Sequence, residues 1–254
     1  MDTQVLSKVD PEIGNILGKA VVITGGTTGI GRATAMLLAS LGARVLILGR
    51  DEQALRTALD EIGKAGGEVH GLTADVSNEQ GIQSIFQAAD SQLGGVDILV
   101  ANAGLAAESA VDMEYSQQKY IVETNLLGYM GCAHEAVQRM KKRGGGQIIF
   151  VGSMSADIHE KGSSVYVATK SGVQGFAAAL RKEVSPDGIK VSLIEPGSVG
   201  TDMGDHPIDV QQKNESEGTM LMAEDIARCV LYCATQPKRV DVIKVMIRPS
   251  QQII

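Results

Sequence analysis

Residues 19–31 read "KAVVITGGTTGIG", an aliphatic run that passes into a glycine-rich turn. The aliphatic part is typical of a buried strand, and the spacing of Gly25, Gly29 and Gly31 is typical of a turn that opens a helix. Glycine lets the backbone approach a diphosphate closely, while the helix N-terminus offers free N–H groups to the anion. Taken alone the turn is also compatible with a flexible loop. Its place after a strand and before a helix favours a dinucleotide site.

Six further aliphatic runs follow and alternate with segments of helix length and period, such as 32–41 and 52–65. Runs that are apolar on both faces and separated by helices indicate a parallel sheet that is covered on both sides. We therefore predict an α/β protein with one doubly wound parallel sheet of seven strands, a Rossmann fold, and helices on both faces. The predicted strands after the first lie at 44–49, 68–74, 96–104, 146–153, 189–197 and 242–249.

The alternation continues without a linker rich in Pro, Gly or Ser. Residues 1–254 are accordingly predicted to form a single Rossmann-type domain, with residues 1–18 as an N-terminal extension. The segment 197–222 looks irregular and is longer than a simple connection requires. Because it follows the sixth predicted strand, at the edge of the sheet where ligands bind, we predict that it forms a substrate lid.

Composition limits the classes of partner. The formal net charge is −7, so the acidic surface would repel phosphate backbones, and nucleic acid is not expected as a partner. The three cysteines, Cys132, Cys229 and Cys233, lack CxxC spacing, which indicates reduced thiols and no metal site. Without an apolar signal segment or a long apolar run, no membrane association is expected, and the predicted localisation is cytoplasmic.

The end of the second predicted strand bears on which dinucleotide binds. A site for NAD usually places an acid there to bond the ribose 2′-hydroxyl, but this chain has Gly49 followed by Arg50. A guanidinium suits a 2′-phosphate, so the sequence favours NADP(H). Arg50 is also compatible with an ordinary solvated charge at a helix start, although the acid is still missing.

Residues 166–170, "YVATK", place Tyr166 and Lys170 four residues apart and so on one face of a helix. A lysine ammonium close to a phenol favours the phenolate, and we expect it to lower the pKa of Tyr166 from about 10. Such a tyrosine can exchange a proton with an alcohol or a carbonyl. The pair alone is also typical of a plain surface helix. Ser153, at the end of the fifth predicted strand, favours the chemical interpretation.

Several motifs occur in one order: Thr-Gly-x-x-x-Gly-Ile-Gly, "ANAG" at 101–104, Ser153, the Tyr166/Lys170 pair and "PGSVGT" at 196–201. Together they resemble the short-chain dehydrogenase/reductase family from about Gly18 to the last strand. The C-terminal "IRP" is similar to the branch that contains NADP-dependent 3-hydroxy acid and serine dehydrogenases.

The resemblance implies roles for four catalytic residues. Ser153 would orient and polarise the carbonyl, Tyr166 would give or take the proton, and Lys170 would also bond the nicotinamide ribose. Asn125 would support a water-linked proton path to the lysine, although an asparagine there is also compatible with a helix bend or a turn cap.

The resemblance also implies which residues bind the cofactor. Asp75 and Val76 would contact adenine, but Asp75 is equally compatible with a lead into a helix capped by Ser77. Ala101 stands where the family commonly has Asn, which is expected to weaken one support between strands. The full set is Gly25, Thr27, Thr28, Gly29, Ile30, Gly31, Arg50, Asp75, Val76, Asn102, Ala103, Gly104, Tyr166, Lys170, Pro196, Gly197, Val199 and Thr201.

Substrate candidates come from the loop 105–114 and the segment 197–222. Lys161 is a candidate partner for a carboxylate, and Glu108 and Asp202 are candidates for hydroxyl groups. Further pocket candidates are His159, His206, Met203, Met220 and Met222.

The sequence thus predicts an NADP(H)-dependent oxidoreductase that interconverts a carbonyl and a secondary alcohol, with Tyr166 as general acid and base. Three alternatives stay open: a non-catalytic dinucleotide sensor or scaffold, an enoyl reductase, and an epimerase. The resemblance implies a small-molecule substrate and a homodimer or homotetramer built partly through helices near 114–142 and 163–184.

Overall fold

The computed structural model describes residues 15–204 and 207–252, so most of the predicted N-terminal extension and His206 lie outside the described residues. Seven parallel strands form one sheet in the order β3-β2-β1-β4-β5-β6-β7. The strands are β1 (Ala20–Thr24), β2 (Arg44–Gly49), β3 (Glu68–Thr73), β4 (Ile98–Ala101), β5 (Gly146–Val151), β6 (Ile189–Pro196) and β7 (Lys244–Ile247). The predicted doubly wound sheet of seven strands is confirmed.

Helices cover both faces of the sheet. In the described part of the chain they are α1 (Gly29–Ser40), α2 (Glu52–Lys64), α3 (Glu79–Ala88), α4 (Tyr115–Val122), α5 (Gly128–Lys142), α6 (Ser155–Ile158), α7 (Ser164–Val184), α8 (Ile208–Ser216) and α9 (Ala223–Ala234). A π-helical turn, Ala89–Leu93, continues α3, and a second one, Glu123–Leu127, joins α4 to α5. None of the described helices is both long and apolar enough to cross a membrane.

Each face of the sheet has its own apolar core. Val22, Leu46 and Phe150 pack on one side with α3, α5 and α7, while Ile23 and Ile47 pack on the other with α1, α2 and α9. Successive residues of a strand point to opposite faces, which is why the strand sequences are continuously apolar. The edge strand β3 departs from this pattern, since its residues are only partly buried.

The segment 197–222 differs from its prediction as an irregular loop. Its described part contains the helix α8, and Val199 forms an isolated parallel bridge with Leu221. Helix α8 has no buried side chain among its described residues. The two ends of the segment are therefore joined by the bridge between Val199 and Leu221, and the helix α8 between them is exposed.

Candidate active site

A cleft of about 1260 Å³ opens at the carboxyl ends of the strands. The strand order reverses between β1 and β4, which is where ligands bind in sheets of this type. The lining includes these predicted site residues: Gly25, Thr27, Thr28, Gly29, Ile30, Arg50, Asp75, Val76, Asn102, Ala103, Gly104, Ser153, Tyr166, Lys170, Pro196, Gly197, Val199 and Thr201. Gly31 and Asn125 belong to the predicted set but lie behind this lining.

The glycine-rich turn has no room for side chains at Gly29 and Gly31. Gly29 has a φ of +50°, and a Cβ there would come within 3.1 Å of Thr201. Gly31 packs helix α1 against the turn so closely that a Cβ would lie 2.0 Å from the backbone oxygen of Gly25. The turn therefore presents bare backbone to the cleft, as a bound diphosphate requires.

Thr24 and Asn102 connect β1 to β4 beside the turn. The Thr24 hydroxyl oxygen accepts from the backbone N–H groups of Asn102 and Ala103, each at 2.9 Å. The Asn102 amide in turn donates to the backbone oxygens of Thr24 and Gly25, each at 3.1 Å. These bonds supply a support between the strands in a chain that has the buried Ala101 at the preceding position.

Asn125 lies in the π-helical turn Glu123–Leu127 and is completely buried. Its amide oxygen accepts from the Leu105 backbone N–H and its amide nitrogen donates to the Leu105 oxygen, both at 2.8 Å. The side chain therefore fixes the start of the 105–114 loop, while the π turn interrupts the regular helix at this point.

Tyr166 and Lys170 share one face of helix α7, as predicted, and the Lys170 ammonium lies 5.6 Å from the centre of the Tyr166 ring. The expected lowering of the Tyr166 pKa is wrong for the protein alone. Burial raises that pKa; an interaction with the Ser153 hydroxyl lowers it in part, and the charge of Glu160 adds to the rise. Burial also lowers the pKa of Lys170, to about 8.

Ser153 lies at the head of a short hydrogen-bonded chain. Its hydroxyl donates to the Ser155 hydroxyl at 3.0 Å and accepts from the Ser155 backbone N–H at 3.1 Å. Ser155, which is buried, donates to the carboxylate of the exposed Glu160. Ser153, Glu160 and Tyr166 all line the same end of the cleft.

Arg50 and Asp75 meet at the opposite end of the cleft through Tyr120. The Arg50 guanidinium donates to the Tyr120 hydroxyl and lies 5.6 Å from the centre of its ring, and that hydroxyl donates to Asp75 at 2.8 Å. Partial burial acts to raise the pKa of Asp75, but hydrogen bonds from Ser77 and Tyr120 and the Arg50 charge outweigh it, so the pKa is lowered. An anionic Asp75 thus helps to hold Arg50 through Tyr120.

The helix after Asp75, α3, is not capped by Ser77, which was one of the interpretations that the sequence left open. Asn78, not Ser77, is the N-cap of α3, and its side chain accepts from the Gly81 backbone N–H. The Asp75 side chain accepts from the Ser77 backbone N–H at 2.9 Å. Asp75 therefore both braces the approach to the helix and lines the cleft.

The sequence profile of the short chain dehydrogenase family matches residues 19–211, about three quarters of the chain. The chain belongs to the short-chain dehydrogenase/reductase family. An uncharacterized oxidoreductase of Staphylococcus aureus (strain USA300) is 32% identical over 232 residues, which cover 91% of this chain and 97% of that protein.

Two further comparisons agree with this assignment. A 3-oxoacyl-[acyl-carrier-protein] reductase of Vibrio cholerae is 35% identical over 190 residues, covering 74% of this chain and 77% of that protein. A metagenomic short-chain oxidoreductase solved in complex with NADP has a TM-score of 0.81 at 27% identity, with 94% of this chain and 100% of that chain covered. This member of the family is therefore an oxidoreductase, and its family binds a nicotinamide cofactor.

The cleft of this short-chain dehydrogenase/reductase fits a dinucleotide. The glycine turn can face the diphosphate, and Arg50 and Asp75 stand at the end where an adenosine would lie. Ser153 and Tyr166 line the other end of the cleft. In the described part of the chain, no group of three or more His, Cys, Asp or Glu residues could hold a metal ion.

The residues predicted to contact the substrate do not all line the cleft. Asp202 and Met203 line the cleft, whereas Glu108, His159 and Lys161 are exposed and lie outside its lining. Met220 is buried and Met222 is the N-cap of α9.

Sequence reasoning missed the residues that act through neighbours: Thr24, Tyr120, Ser155 and Glu160. For Ser155 and Glu160 the available signal was their place just after Ser153 and before Tyr166, a connection that crosses the mouth of the site. Tyr120 had no such signal, because its partners are distant in sequence.

Proposed function

We propose that the protein is an NADP(H)-dependent oxidoreductase that interconverts a carbonyl and a secondary alcohol. The observation that carries this proposal is the convergence of Ser153, Tyr166 and Lys170 at one end of a cleft whose other end holds Arg50. A protein that only sensed the dinucleotide would have no need for these three side chains to meet.

The residues divide the work as follows. A bound nicotinamide dinucleotide supplies or accepts the hydride at the carbonyl carbon. Tyr166 gives its phenolic proton to the carbonyl oxygen in reduction and takes it back in oxidation. The raised pKa of Tyr166 suits reduction, because the phenol holds its proton at neutral pH until the oxygen becomes basic. Lys170 carries a cation below its pKa of about 8 and stabilises negative charge that develops nearby.

Arg50 supports the choice of NADP(H). It lines the cleft directly after β2, next to Gly49, where an acid would contact a ribose hydroxyl. The neighbouring acid Asp51 is occupied at the start of α2, where it accepts from the Ala54 backbone N–H at 2.7 Å. The guanidinium is therefore the group available to a 2′-phosphate, and the solved relative in complex with NADP supports the same choice.

The proposal is tested with Tyr166→Phe and the matched control Tyr115→Phe, whose side chain is largely exposed at the start of α4. NADPH oxidation at 340 nm is followed with a panel of ketones and aldehydes. We expect Tyr166→Phe to lower kcat/KM by about 10²–10⁴-fold, with a much smaller change in NADPH affinity, and the control to match the wild type. Equal turnover by Tyr166→Phe and the wild type would contradict the proposal.

We also propose a homodimer or homotetramer that uses α5 and α7, on the basis of the family resemblance. Light scattering coupled to gel filtration measures the mass directly, and a monomeric mass at micromolar concentration would overturn this assignment.

A further inference from the structure

Glu160 places a carboxylate at the substrate end of the cleft, two hydrogen bonds away from Ser153. Ser153 donates to Ser155 at 3.0 Å, and Ser155 donates to Glu160. Two such steps put the carboxylate about 5 Å from the Ser153 hydroxyl oxygen. A substituent on a carbon close to the substrate carbonyl can therefore reach Glu160 while the carbonyl oxygen lies at Ser153 and Tyr166.

The carboxylate determines the direction of the whole chain. An ionised carboxyl group accepts hydrogen bonds and donates none, so Ser155 must use its proton on Glu160. Ser153, whose hydroxyl oxygen lies 3.0 Å from that of Ser155, then directs its own proton to Ser155 and not to a substrate oxygen. In this arrangement Ser153 can accept from the substrate side but has no proton left to polarise a carbonyl.

The cations among the described residues are directed away from Glu160. Lys170 lines the cleft but is 3% exposed, and its ammonium donates to the Val151 backbone oxygen at 3.0 Å. Arg50 lies at the far end with Tyr120, and Lys161 lies outside the lining. Asp202 also lines the cleft, and its carboxylate lies beside the glycine-rich turn at Gly29. Small or uncharged lining residues near Glu160 are Gly104, Leu105, Ala106, Ala107, Ser163, Met203 and Gly204.

We propose that Glu160 is a specificity residue that accepts a hydrogen bond from a hydroxyl or ammonium group close to the substrate carbonyl. This inference rests on the proposed function. When such a donor takes the Oε1 atom that Ser155 uses, the Ser155 hydroxyl is free to turn towards Ser153, and Ser153 can then donate to the carbonyl oxygen. The substrate donor is thus bound by Glu160 and also frees the Ser153 proton for the carbonyl oxygen. A substrate carboxylate at this position is repelled by Glu160 instead.

Matched ketones test this assignment. Hydroxyacetone and 2-butanone have the same number of heavy atoms and differ in one hydroxyl group, and pyruvate adds a carboxylate. A larger set is 2-hydroxyacetophenone, propiophenone and phenylglyoxylate. Each is reduced with NADPH by the wild type, Glu160→Gln, Ser155→Ala and the control Lys161→Gln, and kcat and KM are measured separately.

We expect Glu160→Gln to change kcat/KM in opposite directions for a hydroxyl and for a carboxylate substituent. In Glu160→Gln, kcat/KM for the hydroxyketone relative to its alkyl partner should fall by about 10- to 100-fold, while that for the keto acid should rise. Ser155→Ala should raise kcat for the alkyl ketone towards that for the hydroxyketone with little change in KM, because the acceptor that holds the Ser153 proton is lost. Lys161→Gln should match the wild type.

Two failures are distinguishable. If the wild type reduces the matched ketones but Glu160→Gln leaves the ratios unchanged or shifts all substrates in the same direction, the role of Glu160 is overturned and the reductase stands. If no ketone gives NADPH oxidation that depends on Tyr166, the proposed function is overturned and this inference falls with it.

Discussion

The Lys170 ammonium donates to the backbone oxygen of Val151 at 3.0 Å, at the last residue of β5. The buried Tyr129 hydroxyl donates to the same oxygen at 3.0 Å, and the Tyr129 ring centre lies 5.3 Å from the Lys170 nitrogen. Lys170 is therefore held against the sheet at Val151, which comes two residues before Ser153 in the chain. This contact fixes helix α7, and with it Tyr166, relative to the end of β5.

Burial of Lys170 should make stability depend on pH. Its pKa is lowered to about 8 in the folded protein from 10.5. Between these values the unfolded chain binds a proton that the folded chain does not, so the free energy of unfolding rises with pH. Burial of the charged lysine costs about 3 kcal/mol, a penalty that is complete below about pH 8 and is relieved as the pH rises to 10.5.

Lys170→Met removes this dependence and should flatten the rise in wild-type stability between pH 8 and 10. Urea unfolding at three pH values measures it, with the exposed Lys161→Met as the control that keeps the wild-type slope. Parallel slopes for the wild type and Lys170→Met would show that the buried ammonium is not the cause.

Tyr120 should affect the choice of cofactor through Arg50. It accepts from the guanidinium and donates to Asp75, so Tyr120→Phe removes both bonds while keeping the ring. We expect Arg50→Ala to reduce the preference for NADPH over NADH by about 10- to 100-fold, and Tyr120→Phe to reduce it by less. Fluorescence titration with both dinucleotides measures this.

The exposed Arg56→Ala on α2 is the control for that titration and should keep the wild-type preference. Equal affinities of the wild type for NADPH and NADH would refute the NADP(H) assignment itself. An unchanged preference in Arg50→Ala would place the 2′-phosphate elsewhere.

Gly31 and Gly175 should respond oppositely to alanine. A Cβ at Gly31 would lie 2.0 Å from the Gly25 oxygen and 2.7 Å from the Asn102 amide, so Gly31→Ala must displace the turn and should cost about 3 kcal/mol of unfolding free energy. Gly175 has open space around it within α7, so Gly175→Ala should add about 0.5–1 kcal/mol. Chemical denaturation compares the two, and a stable Gly31→Ala with unchanged NADPH binding would refute the close packing.

Lys244 should stabilise the folded protein through its ion pair with the buried Glu195 carboxylate. Its ammonium lies 2.5 Å from Glu195, whose side chain is 0% exposed, and 3.0 Å from Asp157 just beyond Ser153. Burial raises the pKa of Glu195, and the Lys244 ion pair only partly offsets the rise. Lys244→Met should therefore cost about 1–3 kcal/mol at pH 8, with a smaller loss towards pH 5 as Glu195 takes up a proton.

The exposed pair of Lys64 with Asp60 provides the comparison, and Lys64→Met should leave the stability close to that of the wild type. Equal effects of Lys64→Met and Lys244→Met would mean that the Glu195 carboxylate is not held by its cation.

The order of strands and helices followed from local pattern. Aliphatic runs such as 44–49 coincide with β2, and the glycine spacing after β1 predicted the turn that opens α1. Strand ends were less accurate: the predicted run 96–104 contains only Ile98–Ala101 as a strand, because the following residues leave the sheet to line the cleft. The helix α8 was missed since it has no buried face to give a periodic apolar signal.

By itself the sequence determined the sheet, the turn and the positions of Ser153, Tyr166 and Lys170, because each depends on residue type at short spacing. Only the tertiary structure decided the pKa values and the hydrogen-bond partners of those groups. Burial reversed the expected direction of the Tyr166 pKa, and the fold brought Tyr120 to Arg50 across 70 residues of sequence. Desolvation and hydrogen-bond direction depend on what surrounds a group in space, and a one-dimensional pattern carries neither.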